Sequence, residues 1–142
     1  MNKKKFKNVL VVLGGTSDER TISLESGRAC IKALKKKGYK VSTFDPKIKN
    51  FNLINKKNID VIFNALHGRD GEDGVAQSYF EYLKIPYTHS GVISSFNAMN
   101  KIISKEIFIK NKIKTPKFFS VHKFDYKKNN IQKIINDKKI QF

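Results

Sequence analysis

The sequence predicts an α/β fold, a parallel β-sheet flanked by helices, and three observations predict it. Short apolar runs alternate with helix-period segments over the first 90 residues. The run NVLVVLGG at 8–15 is continuously Val/Leu, as a strand covered on both faces requires. Each of the first and third apolar runs leads into a glycine-rich, charged loop, GGTSDERTIS and HGRDGEDG, far richer in polar chemistry than a turn needs. Strands joined by right-handed crossovers place such loops at one edge of the sheet, where ligand crevices form.

The elements follow in order. After the strand at 8–15, SLESGRACIKALKKKG at 23–38 reads as a helix: Ser23 is the expected N-cap, Leu24, Ile31 and Leu34 share one face, Lys35–Lys37 complement the carboxyl-terminal dipole, and Gly38 ends it. YKVSTFD at 39–45 alternates apolar and polar residues as a second strand, closed by Pro46. Residues 47–58 form a Lys- and Asn-rich connection with room for a helical turn. IDVIFNAL at 59–66 is the third strand. Asp73 is the expected cap of a helix over 74–84, in which Ala76, Tyr79, Phe80 and Leu83 fall at i, i+3, i+4 and i+7. IPYTHSG at 85–91 reads as a fourth short strand. From 92 to 114 a single longer helix is expected, with Ile102, Ile109 and Ile113 on one stripe and Thr115–Pro116 ending it. KFFSVHKF at 117–124 is strand-like, and the last stretch, 129–142, is a short helix.

Composition narrows the function classes. The 142 residues suffice for one domain, or one and the beginning of a second, and 39% hydrophobic residues can form a core. A formal net charge of +17 invites a polyanion partner. The lysines are nevertheless scattered along the chain among abundant Asn and Ile, the residues AT-rich codons favour, so compositional drift accounts for the charge better than a nucleic-acid surface does. Cys30 is the only cysteine, which excludes a disulfide framework and fits a reducing cytoplasm. The start MNKKKFKNVLVVLGG has the basic head of a signal peptide, but VLVVL is too short for its apolar core and no cleavage site follows. No run reaches the ~18 apolar residues of a membrane span. The expectation is a cytoplasmic protein.

Taken singly, the motifs are open to more than one reading. GGTSDER is neither a dinucleotide fingerprint nor a phosphate loop; as a plain turn it uses Ser17 and Asp18 to bond the backbone and leaves Glu19 and Arg20 as a solvated pair. His67 is either hydrogen-bonded structure or a crevice residue. Asp73 is better used as a cap, and Glu72 beside Arg69 as a loop staple, than as metal ligands. Lys101 and Lys105 sit four apart on a helix, ordinarily a solvated face. The aromatic and basic residues of KFFSVHKFDYKK could stack single-stranded nucleic acid, although their alternation favours core packing.

In order and spacing, LGGTSDERTISLESG, FNALHGRDGEDGVAQ, IPYTHSG and AMNKIISKEIF together resemble the D-alanine–D-alanine ligase family, over residues 8 to about 121. The resemblance implies a Rossmann-like amino-terminal substrate-binding domain at 1–91 and, at 92–142, the start of an ATP-grasp central domain. It implies ATP-dependent joining of two D-alanines through an acyl phosphate, for peptidoglycan synthesis and hence cell-wall biogenesis and cell shape. Glu19 matches the glutamate that receives the first D-alanine's ammonium, Ile22 an apolar residue on its methyl, His67 the histidine near its carboxylate, and Lys101 a lysine reaching the ATP phosphates. Glu19 and His67 are the catalytic-site candidates. The implied partners are D-alanine and ATP, with no specific nucleic acid and no membrane; a homodimer is compatible but not required. Asp70 and His89 stand where the family carries glycine, and Asn100 where it carries aspartate beside the lysine. The second ATP lysine, the oxyanion arginine and the Mg2+ ligands of the family belong beyond a point equivalent to residue 142, so the sequence reads as an amino-terminal fragment, inactive alone. The alternatives are an inactive substrate-binding domain and a small basic nucleic-acid-binding protein.

Overall fold

A computed structural model describes residues 6–121 and residue 133. Three parallel strands, β1 (Asn8–Val12), β2 (Lys40–Phe44) and β3 (Val61–Asn64), form a sheet in the order β2-β1-β3. Val9 faces Val41 on one side and Val61 on the other, and Val12 faces Phe44 and Asn64. The central position of β1 explains its uninterrupted apolar run. Leu10 and Val12 enter one core with Phe44, Ile62, Ala76 and Phe80. Val9, Val11 and Leu13 enter another with Ala65, against Leu24, Ile31 and Leu34 of helix α1 (Arg20–Lys36). Helix α2 (Val75–Tyr82) supplies Ala76 and Phe80 to the first core, and its Tyr79 stacks on Phe51 at 4.9 Å. The parallel sheet flanked by helices is therefore as expected.

Several boundaries differ, each for a physical reason. Helix α1 starts at Arg20 rather than after Ser23, and its N-cap position is Glu19 without a side-chain cap bond. Ser23 is wholly buried inside the helix, its hydroxyl committed to other elements. The cap position of α2 is Gly74, at φ 97°, not Asp73. Asp73 still accepts from the Val75 amide at 3.2 Å, one residue further back, and from the Asp70 amide at 3.0 Å. Residues 51–53 and 56–58 form two 3-10 turns, capped by the side chains of Asn50 and Asn55. IPYTHSG contributes a single parallel bridge, Ile62 to Tyr87, rather than a strand. Pro86 brings no N–H to a ladder, and His89 at φ 78° turns out of extended geometry.

The single helix expected over 92–114 is two: α3 (Val92–Met99) and α4 (Lys101–Lys110). Asn100 breaks them at ψ 103°, and its side-chain oxygen accepts from the Ile102 and Ile103 amides. An N-cap residue begins a new helix at the cost of the old one. Helix α4 stops at Lys110, ahead of Thr115–Pro116, and Lys112 turns left-handed at φ 58°. The chain separates into two compact units, Met1–Ser104 and Lys105–Phe142. In the second, the Lys105 ammonium donates to Thr115 Oγ1 (3.0 Å) and the Pro116 carbonyl (3.1 Å) and lies over the Phe118 ring. Residues 117–121 carry no strand; the rest of KFFSVHKF and, apart from the helical Lys133, the expected terminal helix lie outside the described residues.

Candidate functional site

All three strands end at one edge, and the loops leaving them are tied together there. The Ser23 hydroxyl donates to the Ala65 carbonyl (2.6 Å) at the end of β3 and accepts from the Gly14 amide (2.8 Å) at the end of β1. Arg20 reaches the end of β2: its guanidinium donates to both oxygens of Asp45 (2.7 and 3.0 Å) and to the Gly15 carbonyl (2.8 Å). Asp45 also accepts from the Gly15 and Lys47 amides. Burial alone would raise the Asp45 pKa, but the bonds from Arg20, Gly15 and Lys47 outweigh it and hold the carboxyl below its usual range. The same bond to Asp45 raises the Arg20 pKa. Gly14 leaves no room for a side chain here: at φ 85°, a Cβ would fall 2.6 Å from an Asp45 oxygen. Arg20 is thus a tether to Asp45, not half of a solvated pair with Glu19.

The first and third loops meet directly. Ser17 donates to the His67 carbonyl at 2.7 Å and accepts from the Glu19 amide, and Thr16 donates to Asp70 at 3.2 Å. Gly68, at φ 68°, lies so close to Glu19 that a Cβ would come within 2.7 Å of its carboxylate. The carboxylate and the residue after His67 therefore share one position, which needs glycine both for conformation and for room. Within the third loop, Asn64 and Gln77 both donate to the Gly71 carbonyl at 2.9 Å. Asp70, at φ 64°, adopts the left-handed conformation, which aspartate tolerates better than most residues.

His67 is contacted at both ring nitrogens. Nε2 lies 3.0 Å from Ser26 Oγ on α1, and Nδ1 lies 3.5 Å from a Glu72 oxygen. Glu72 is thereby turned toward His67, not stapled to Arg69, whose exposed guanidinium is 3.9 Å from Asp70. His67 borders a cavity of about 350 Å3, within the range of small-molecule sites. Phe63, Gln77 and the exposed His89 also line it; His89 bonds Thr88 Oγ1 through Nδ1 at 2.8 Å and meets Phe63 edge-on.

Of the four residues singled out in the sequence, Glu19 and His67 are brought together. Ile22 is on the same helix but 54% exposed, and neither it nor Glu19 lines the cavity. Lys101 lies at the start of α4, exposed, its ammonium 3.4 Å from the Ala98 carbonyl. Sequence reasoning missed Ser26 and Asp45. The spacing could have found Ser26: Glu19, Ile22 and Ser26 stand at i, i+3 and i+7, one helix face over two turns. Asp45 ends the strand beside β1, so the topology alone puts it at the edge. Among the described residues no three His, Cys, Asp or Glu side chains are grouped to hold a metal ion, and no helix is long and apolar enough to cross a membrane.

Comparison with known proteins shows what the chain is similar to in sequence and fold. Residues 44–90 match the family described as D-ala D-ala ligase N-terminus. Among curated relatives, the D-alanine--D-alanine ligase of Pelagibacter ubique is 53% identical over 138 residues, covering 96% of this chain and 44% of that protein. That of Cereibacter sphaeroides is 48% identical over 103 residues, covering 72% and 34%. Among solved structures, D-alanine--D-alanine ligase from Bacillus anthracis superposes with a TM-score of 0.77 at 34% identity, covering 92% of this chain and 42% of that one. The same enzyme complexed with ATP gives 0.76, again at 34% identity, with 92% and 44% covered. The chain thus spans less than half the length of the relatives it matches.

Proposed function

From its match in sequence and fold to the amino-terminal part of the D-alanine–D-alanine ligases, we propose that this chain supplies the first-substrate half of an ATP-dependent carbon–nitrogen ligase site. The observation that carries the reading is the seat of Glu19 against Gly68, next to His67, where the loops of β1 and β3 are tied together. A D-amino acid presents an ammonium and a carboxylate on neighbouring atoms. Glu19 is the acceptor for the ammonium, His67 stands near the carboxylate, and Ile22 gives the methyl an apolar neighbour. Activation of that carboxylate by phosphoryl transfer and attack by a second amine make positioning and charge neutralisation the main contributions of the protein. The residues of this chain hold and orient the first substrate.

ATP and Mg2+ enter the reading through the family. The described residues do not fit a magnesium site, since Mg2+ needs several oxygen ligands and no such group of carboxylates is present among them. Lys101, with a carbonyl beside it and solvent around it, is one cation for the phosphates and does not by itself make a nucleotide site. We assign residues 1–91 to the substrate domain and 92–142 to the start of the ATP-grasp domain. The product, a D-alanyl dipeptide for peptidoglycan, and a cytoplasmic location belong to the same proposal.

The test joins residues 1–142 to the carboxyl-terminal part of the Pelagibacter ubique relative. The fusion is expected to consume ATP only when D-alanine is present, and the 142-residue chain alone is expected not to. Glu19→Gln keeps the shape but removes the charge. A hydrogen bond to a charged group is worth about 1.5–3 kcal/mol, so the D-alanine constant should rise about ten- to a hundredfold. The ATP constant should change little, because the ammonium is remote from the phosphoryl group. Saturation by D-alanine that is unaltered in the variant removes Glu19 from the site. D-alanine binding by the chain together with an inactive fusion favours a binding domain over an enzyme.

A further inference from the structure

We propose that Ser26 is a positioning residue for His67, holding its ring through Nε2; the consequence of that hold for D-alanine rests on the ligase reading. The argument is a count of hydrogens. Ser26 Oγ lies 2.9 Å from the Ile22 carbonyl, 3.3 Å from the Ser23 carbonyl and 3.0 Å from His67 Nε2. The hydroxyl has one proton to give and lone pairs to receive. Carbonyls only accept. Given to Nε2, the proton would leave two oxygens facing each other at 2.9 Å with nothing between them. Given to the Ile22 carbonyl, it leaves a lone pair for Nε2–H, and both short contacts become bonds. That arrangement fixes the proton on Nε2.

In that tautomer Nδ1 is the acceptor nitrogen. Glu72 approaches Nδ1 at 3.5 Å, longer than a well-formed charge-assisted bond, and its side chain is 49% exposed. That contact is too long to claim the ring proton for Nδ1 against the 3.0 Å contact at Nε2. Ser26, in contrast, is fixed to the helix backbone. Glu19 and Ser26 lie on one face of α1, so the acceptor for the ammonium and the holder of the histidine move as one rigid body.

Alanine is a better helix former than serine, so Ser26→Ala should fold. The first measurement uses the 142-residue chain, labelled with 15N, and the long-range 1H–15N correlations of the His67 ring. The unsubstituted chain should show Nε2 as the protonated nitrogen. Ser26→Ala should shift both ring nitrogens toward the average of the two tautomers, and Ser26→Thr, which retains the hydroxyl, should restore the original pattern. A Ser26→Ala pattern that superimposes on the unsubstituted one overturns the proposal, as does a threonine variant that behaves like alanine. In the ligase fusion, Ser26→Ala should raise the D-alanine constant about three- to tenfold, the loss of one hydrogen bond, with the ATP constant unchanged. An unaltered D-alanine constant overturns the link between this hold and the first substrate. If the unsubstituted fusion consumes no ATP with D-alanine, the ligase reading falls, while the ring measurement still decides whether Ser26 holds His67.

Discussion

Replacing Ser23 by alanine should be among the most damaging single-atom changes available in this chain. The hydroxyl is inaccessible to solvent and joins three elements, since it sits on α1, accepts from the Gly14 amide and donates to the Ala65 carbonyl. Removing it leaves a buried N–H without an acceptor, which costs about 1–3 kcal/mol. The carbonyl loses a bond worth about 0.5–1.5 kcal/mol, and the helix regains roughly 0.5 kcal/mol from alanine. The net loss is about 1–4 kcal/mol, a large share of the roughly 5–15 kcal/mol that holds a domain together. For a unit of this size each kcal/mol lowers Tm by roughly 4–8 °C. Urea unfolding followed by circular dichroism measures it, and the slope m should stay the same while the midpoint falls. Faster hydrogen exchange at the Gly14 amide should locate the damage. Ser78→Ala is the control: that hydroxyl is exposed and bonds only the Val75 carbonyl of its own helix, so the change should be within about 0.5 kcal/mol. A Ser23→Ala chain as stable as that control would refute the claim that this hydroxyl ties the loops.

Three further outcomes follow from the same packing. Asp45→Asn should flatten the acid limb of stability: a carboxyl held below its usual range contributes above its unfolded pKa of about 4 and loses that contribution as pH falls through the folded value. Acid titrations that run parallel in the two proteins would contradict the Arg20–Asp45 tether. Gly27→Ala should lower Tm although alanine favours helix by about 1 kcal/mol, because its Cβ would sit 2.7 Å from Leu13 Cβ and overpacking costs about 1–3 kcal/mol; a raised Tm would show that the interface yields. His89→Gly relieves a left-handed backbone worth about 1–2 kcal/mol and gives up the Thr88 bond and the Phe63 contact, so thermal melts should move up slightly or not at all. A loss above about 1 kcal/mol would mean that the ring contributes more than its backbone costs.

The fold was legible wherever one period governed a segment. Residues 9–13 could only be a strand covered on both faces, and Ala76 with Phe80 could only be the inner face of a helix. Capping was less legible, since the same residue types do different work in different surroundings. Ser23 has the chemistry of an N-cap but spends its hydroxyl on tertiary bonds, whereas Asn100 looked like one more helical position and proved to be the cap that splits the helix. In the candidate site, the meeting of the first and third loops followed from topology, whereas the pairing of Glu19 with His67 was implied by the family resemblance alone. The partners of Arg20 and Glu72 followed from neither, because a neighbour in sequence, Glu19 for one and Arg69 for the other, offered an equally good charge.

The tethers at the strand ends also decide where this chain can change length. Between Gly14 and Arg20, bonds run to Asp45, Ala65 and His67, either from that segment or from Ser23 just after it, so one inserted residue would pull several of them out of register together. The connection after β2 is anchored mainly by Phe51 and Ile54, and Lys56 and Lys57 lie in solvent. Lengthening a free connection costs only in proportion to the logarithm of its length. Peptide tags, reporter inserts or new chain ends therefore belong at 56–57, where they interrupt only the local 3-10 turn and leave the edge that holds Glu19 and His67 unaltered.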